Sequence, residues 1–227
     1  DIWDKEIDKK VKRTKNRPLA SNRLKIKTAY SILILFLLGS FFITLSLPSP
    51  GRTLCILLAL IALPIILIYP SAKRWFRYPQ AILSICWGFS VLIPWAAHEG
   101  NLLSPVLFFC WLATIFWTFG FDTIYALADK KYDQRIGINS SAINLGSHTK
   151  LTIQICYLIT SLSLAFCSIL NQLNFIFLPF LILTSILMQR DVINIFQSAD
   201  FSISIIGKHF KKQVIYGSLI LLGMILA

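Results

Sequence analysis

Apolar residues in this chain fall into seven long runs separated by short polar connections. The runs cover residues 28–47, 53–69, 81–97, 102–121, 151–170, 175–188 and 214–227. At about 1.5 Å per helical residue, runs near 20 residues match the hydrocarbon thickness of a bilayer. The spacing therefore predicts an all-α, polytopic transmembrane helix bundle with about seven helices visible. Pro48 and Pro50 end the first run, while Pro64 is a tolerated kink inside the second. Asn171–Asn174 forms a tight turn between the fifth and sixth runs. The last run, about 14 residues, is short for a span and is expected to borrow from the polar stretch ahead of it.

Composition agrees with this pattern. Of 227 residues, 56% are hydrophobic and only 14% charged, which is too apolar for a soluble domain of this length. The net charge of +12 raises the question of nucleic acid, but the basic residues lie in the connections between runs rather than on one soluble face. Alternating the seven runs across a membrane places 21 of the 22 Lys and Arg on one side, with only Arg52 on the other. The positive-inside rule makes that side cytoplasmic, or matrix-facing in a mitochondrion, so the partner is a lipid bilayer and not nucleic acid. An integral protein of a bacterial or mitochondrial inner membrane is expected. The five cysteines are scattered within apolar runs and read as packing residues.

The chemistry is concentrated in aspartate. Eight aspartates occur, and six lie in two short segments, Asp1, Asp4 and Asp8, then Asp122, Asp129 and Asp133; only two glutamates occur at all. Asp1, Asp4 and Asp8 are spaced i, i+3, i+7 and would share one helix face. Asp122, Asp129 and Asp133 follow i, i+7, i+11, which returns all three to nearly one direction at about 100° per residue. Both segments fall on the cytoplasmic side by the run count. Short carboxylates on facing helices suit Mg²⁺, a hard cation that shares its coordination with water and phosphate. Arg13, Arg17, Lys73, Arg74 and Lys130 stand beside them as candidate contacts for a diphosphate or a substrate carboxylate. His98, His148 and His209 are isolated and form no metal set. No Gly-x-Ser-x-Gly elbow and no Walker loop is present.

These motifs resemble a known family. Asp1-x-x-Asp4-x-x-x-Asp8, followed by Val11-Lys12-Arg13-Thr14-x-x-Arg17-Pro18-Leu19, looks like the first signature of the UbiA-type intramembrane prenyltransferases without its leading Asn. Asp122-Thr123-x-Tyr125-Ala126-x-x-Asp129-Lys130-x-x-Asp133-x-x-Ile136-Gly137 resembles the second signature in its 4-hydroxybenzoate polyprenyltransferase branch. Tyr69-Pro70-x-x-Lys73-Arg74, Pro79-Gln80 and Pro94-Trp95-Ala96-Ala97 are further marks of that branch. The resemblance covers essentially the whole chain as a single domain, residues 1–227. It implies nine transmembrane helices in the full-length family, so that the chain, opening on an aspartate motif without methionine, is expected to lack its first two.

The resemblance implies Mg²⁺-assisted loss of diphosphate from a polyprenyl diphosphate and attack by the ring carbon ortho to the hydroxyl of 4-hydroxybenzoate, a step of ubiquinone synthesis. Asp4, Asp8, Asp129 and Asp133 are then the expected catalytic residues, with Asp1 and Asp122 joining them as metal ligands. Arg13, Arg17, Lys73, Arg74, Tyr125 and Lys130 are expected at the substrates. Two departures stand out: Asn139-Ser140-Ser141-Ala142 replaces a usual Lys-Ser-Thr-Ala, removing one basic contact, and Asn22 replaces a usual Gly. A related enzyme with a naphthoate or glycerol phosphate acceptor is an alternative. A divalent-cation transporter is a weaker one, because transporter carboxylates belong near the bilayer midplane.

Overall fold

The computed structural model describes residues 1–9, 14–198 and 200–227, and among them it is helical with no strand. A short helix α1 (Lys5–Asp8) is followed by α2 (Ile26–Ser46), α3 (Gly51–Ala72), α4 (Pro79–Glu99) and α5 (Pro105–Ile136). A second short helix α6 (Ser141–Asn144) and a 3-10 turn (Gly146–His148) lead into α7 (Thr149–Leu170), α8 (Phe177–Ser198) and α9 (Ile203–Leu226). By length and composition, six of the described segments could cross a membrane, α2 to α5, α7 with its preceding turn, and α8. The protein is an integral membrane helix bundle.

Local sequence sets the helix ends. Pro79 and Pro105 sit at the first turns of α4 and α5, where a missing N–H costs nothing. Ser104 caps α5 by accepting from the Leu107 amide. Pro64, Pro70 and Pro94 lie inside α3 and α4 without breaking them. The last helix takes in the polar stretch ahead of it, as expected. It runs 24 residues, because Ile203–Gln213 is helical rather than a connection. His209, Lys212 and Gln213 in this stretch find partners across helices. Asp191 of α8 accepts from His209 and Lys212 of α9, and the Tyr157 hydroxyl of α7 meets His209 Nε2 at 3.3 Å. Trp117 Nε1 of α5 donates to Gln213 at 2.8 Å, so four helices join one buried polar network.

Helix α5 packs against α4, α7 and α9 and forms the axis of the bundle. Ile124, Ile153, Tyr157, Met188 and Val192 make its buried core next to the aspartate-bearing end. By contrast α2 buries none of its residues, and side chains such as Leu35 and Phe36 are about 70% exposed around its circumference (68% and 70%). That outward apolar surface, shared by all the long helices, suits hydrocarbon solvent.

Candidate active site

The first aspartate cluster is less helical than its spacing suggests. Helix α1 is only four residues long, and Asp1 and Asp4 precede it in a turn. Asp8, buried at its end, accepts from Arg17 at 3.0 Å, and the same guanidinium nitrogen reaches Asp1 at 3.1 Å. Thr14 Oγ1 donates to the Asp8 carbonyl, and Leu19 and Ala20 are buried, so the polar segment is folded against the bundle end. Asp4 is held from another element. Lys73, at the end of α3, donates to Asp4 Oδ2 at 2.7 Å, and Arg74 Nη2 lies 3.7 Å from Asp4 Oδ1.

The second cluster rides on α5, which continues unbroken from the apolar run through Ile136. Gly137, with φ of 71°, then adopts the left-handed conformation that closes the helix, its N–H returning to Gln134. The chain doubles back as residues 138–145 and is tied to the connection between α3 and α4. Asn139 N donates to the Lys73 carbonyl at 2.7 Å, Asn144 Nδ2 to the Arg77 carbonyl at 2.7 Å, and Ser141 N to Gln80 Oε1 at 2.8 Å. Thr123 and Ser141, both fully buried, share a hydroxyl contact of 2.7 Å, and Ser141 Oγ lies 2.9 Å from Gln80 Oε1.

The two clusters meet in a pair of adjoining cavities. One, of ≈ 290 Å³, is lined by Asp1, Asp4, Asp129 and Asp133 together with Lys73, Tyr69, Gln80, Asn139 and Ser140. The other, of ≈ 140 Å³, is lined by Asp4, Asp8, Asp129 and Asp133 with Arg17, Lys73 and Tyr132. Not every expected residue arrives. Asp122 is two turns deeper along α5 and lines neither cavity. Tyr125, one turn before Asp129, lines neither cavity, and its ring centroid lies 5.6 Å from that of Phe210 on α9. Lys130 lines a separate cleft with Asp200 and Phe201. Arg74 contacts Asp4 without lining a cavity, and Arg13 lies outside the described residues.

Sequence reasoning did not assign Tyr69, Gln80, Asn139 or Ser140 to the site. The first two stood in motifs noted only as marks of resemblance, and Asn139 and Ser140 only in a departure from it.

Electrostatics and donor chemistry show what such a cavity can hold. The larger cavity presents four carboxylates against one ammonium, a surface that repels a bare phosphate and attracts a divalent cation. Asp4 Oδ1 is buried with no hydrogen-bond partner among the described residues, an oxygen that a cation would satisfy. No group of three acidic, His or Cys side chains is gathered closely enough to cage a metal among the described residues. That fits Mg²⁺, which is commonly held by one or two carboxylates plus water and substrate phosphates rather than by an all-protein cage.

Comparison with known proteins adds the following. The sequence pattern of the UbiA prenyltransferase family matches residues 1–201. The chain is 36% identical, over its whole length, to a 4-hydroxybenzoate solanesyltransferase of Synechocystis, 75% of which it covers. It is 37% identical over 76% of its length to a mitochondrial 4-hydroxybenzoate polyprenyltransferase of Caenorhabditis elegans, covering 47% of that protein. Over 70% of its length it is 37% identical to a 4-hydroxybenzoate octaprenyltransferase of Dechloromonas aromatica, covering 53% of it. The chain thus spans three quarters of the first of these relatives and about half of the other two. In fold it is similar to the apo structure of a UbiA homolog from Aeropyrum pernix K1, with a TM-score of 0.79 at 24% identity, over 99% of this chain and 81% of that one.

Proposed function

The chain belongs to the UbiA prenyltransferase family, and from that premise we propose that it transfers a polyprenyl group from polyprenyl diphosphate to the ring carbon ortho to the hydroxyl of 4-hydroxybenzoate, the prenylation step of ubiquinone synthesis. The observation that carries this reading is the aspartate-lined cavity where α3, α4 and α5 end beside the opening segment. A polyprenyl diphosphate needs hydrocarbon for its tail and a polar pocket able to hold a cation for its head, and an aspartate-lined cavity at the end of an apolar bundle suits both. The positive-inside bias puts this end on the cytoplasmic or matrix face.

One or two of Asp4, Asp8, Asp129 and Asp133 would hold each Mg²⁺ together with water and diphosphate oxygens, with Asp1 at the rim. When bound there, the cation neutralises the diphosphate and makes it a better leaving group. Arg17 pairs with Asp1 and Asp8, and Lys73 with Asp4. With a cation held by those carboxylates, Arg17 and Lys73 would be available for diphosphate oxygens, where their charge would stabilise the leaving group. The allylic cation left at the first prenyl carbon is attacked by the electron-rich ring carbon, and loss of the ring proton restores aromaticity. The carboxylates around the cavity stabilise the cationic ring, and one of them accepts the proton.

The test is incubation of membranes containing the full-length enzyme with 4-hydroxybenzoate, a polyprenyl diphosphate and Mg²⁺. Prenylated product is expected, and Asp129→Asn should lower turnover by about 10²–10³-fold or more, the usual cost of losing one transition-state electrostatic contact. No product beside an active control, or an unimpaired Asp129→Asn enzyme, would overturn the reading.

A further inference from the structure

We propose that Cys110 and Cys167 form a redox modification site, two thiols that a disulfide oxidant joins into a covalent bond between α5 and α7. Each falls in an apolar run and reads as a packing residue, and the two stand 57 positions apart in sequence. The fold nevertheless sets their Sγ atoms 3.4 Å from each other. Cys110 lies five residues after Pro105, where α5 starts, and Cys167 three residues before Leu170, where α7 ends. At about 1.5 Å per residue, both lie within roughly 4–8 Å of helix ends on the side of the bundle opposite the aspartates. Two neighbouring contacts hold the pair in register. Phe109 and Phe166, next to the cysteines in sequence, stack with their ring centroids 5.0 Å apart and their planes at 16°. Cys167 Sγ also lies 3.5 Å from the carbonyl oxygen of Val106, one turn before Cys110 on α5. The α7 thiol is thus directed at the strip of α5 that carries Cys110. An S–S bond measures about 2.05 Å, so the sulfurs have to approach by roughly 1.4 Å, within the reach of side-chain rotation.

Exposure sets the order of the reaction. Cys110 is partly exposed, whereas Cys167 is 3% exposed, so an oxidant meets Cys110 first. Cys110 loses its proton and its sulfur attacks one sulfur of the oxidant, breaking the oxidant's S–S bond and releasing one thiol. Cys167 then loses its proton and attacks the Cys110 sulfur, releasing the second thiol and closing the bond between the helices. Two electrons and two protons pass from the protein to the oxidant, a small or protein disulfide that is reduced to two thiols. By the positive-inside bias this end faces away from the cytoplasm or matrix, and so away from the thiol pools that would keep the pair reduced. The bond ties down the far end of α5, the helix that carries Asp129 and Asp133.

The test is made on the full-length wild-type protein and does not depend on its activity. Native membranes are quenched with acid, and free thiols are then labelled with a maleimide after denaturation. A peptide carrying Cys110 joined to Cys167 is expected by mass spectrometry, and it should disappear when the membranes are first reduced. Purified reduced protein treated with dipyridyl disulfide, a membrane-permeant aromatic disulfide, should lose two free thiols and become two hydrogens lighter, without retaining a pyridyl adduct at either position. In Cys167→Ser the same reagent should instead leave a stable mixed disulfide on Cys110. Closing the bond should raise the melting temperature of the wild type in detergent by about 5–15 °C and leave that of Cys167→Ser unchanged. A pair that stays fully reduced in native membranes would overturn the proposal. So would a mixed disulfide that persists on wild-type Cys110, a crosslink from either residue to another cysteine, or a crosslinked protein that melts no higher than the reduced one.

Discussion

Replacing Lys73 with methionine keeps the length of the side chain and removes one charge from the site. In the resting structure its Nζ lies 2.7 Å from Asp4 Oδ2, with the two side chains 24% and 18% exposed. A charge-assisted hydrogen bond in such a setting contributes about 1.5–3 kcal/mol. If Lys73 moves from Asp4 to the diphosphate during the reaction, that contact is worth most in the transition state, where charge has built up on the leaving group. At about 1.4 kcal/mol per tenfold, kcat/KM for polyprenyl diphosphate should fall about 10- to 150-fold. The same change leaves Asp4 with Arg74 alone, at 3.7 Å, and so makes it a better cation ligand. The Mg²⁺ concentration for half-maximal activity should therefore decrease while activity falls. Initial rates with labelled polyprenyl diphosphate, measured against substrate and then against Mg²⁺, read both effects. A kcat/KM within threefold of wild type, or a higher Mg²⁺ requirement, would refute the exchange of Lys73 between carboxylate and phosphate.

Two further substitutions probe the scaffold. Asp191→Ala should cost about 3–5 kcal/mol, because His209 and Lys212 lose their shared buried acceptor, and thermal unfolding in detergent should show a clear drop in melting temperature. Gly120→Ala places a methyl 2.6 Å from Tyr157 Cε1, on a ring that is 1% exposed and held at its hydroxyl by His209. Overpacking of this kind costs about 1–3 kcal/mol, and the same melting experiment should register it.

The long helices were legible because each is built from a run of apolar residues that crosses a bilayer, a signal that survives any detail of packing. The two aspartate segments were legible because surface loops have no reason to prefer aspartate over glutamate. What could not be read was everything that depends on helix rotation and cross-chain contact. Asp122 and Asp129 are seven residues apart and point the same way, yet the cavity reaches only the latter, because depth along the axis differs while direction does not. Lys130 follows Asp129 directly, and a turn of about 100° per residue sends it to another cleft, whereas Tyr125 shares the direction of Asp129 but lies one turn deeper, against Phe210. The Asp191, His209 and Tyr157 network joins residues up to 52 positions apart, so in sequence it showed only as an isolated histidine and a polar connection. The expected helical face of Asp1, Asp4 and Asp8 gave way to a turn, with Arg17 and Lys73 setting where those carboxylates lie.

The length of α5 explains why the chemistry sits where it does. Its 32 residues extend about 48 Å, well beyond a hydrocarbon core of about 30 Å. Measured from Pro105, roughly the first 20 residues fill the apolar layer, so the helix emerges near Ile124. Asp122 then lies at the hydrocarbon boundary, while Asp129 and Asp133 stand about two and three turns farther into the polar region. The uninterrupted backbone fixes those two carboxylates relative to the membrane, and the Gly137 turn returns the chain at once to the end of α3, bringing Asn139 and Ser140 to the same cavity. Under the proposed function, a diphosphate held there would have its head in the polar region and its prenyl tail directed toward the apolar layer. A helix ending at the boundary would leave the carboxylates on a loop, and one buried two turns deeper would place the diphosphate in hydrocarbon.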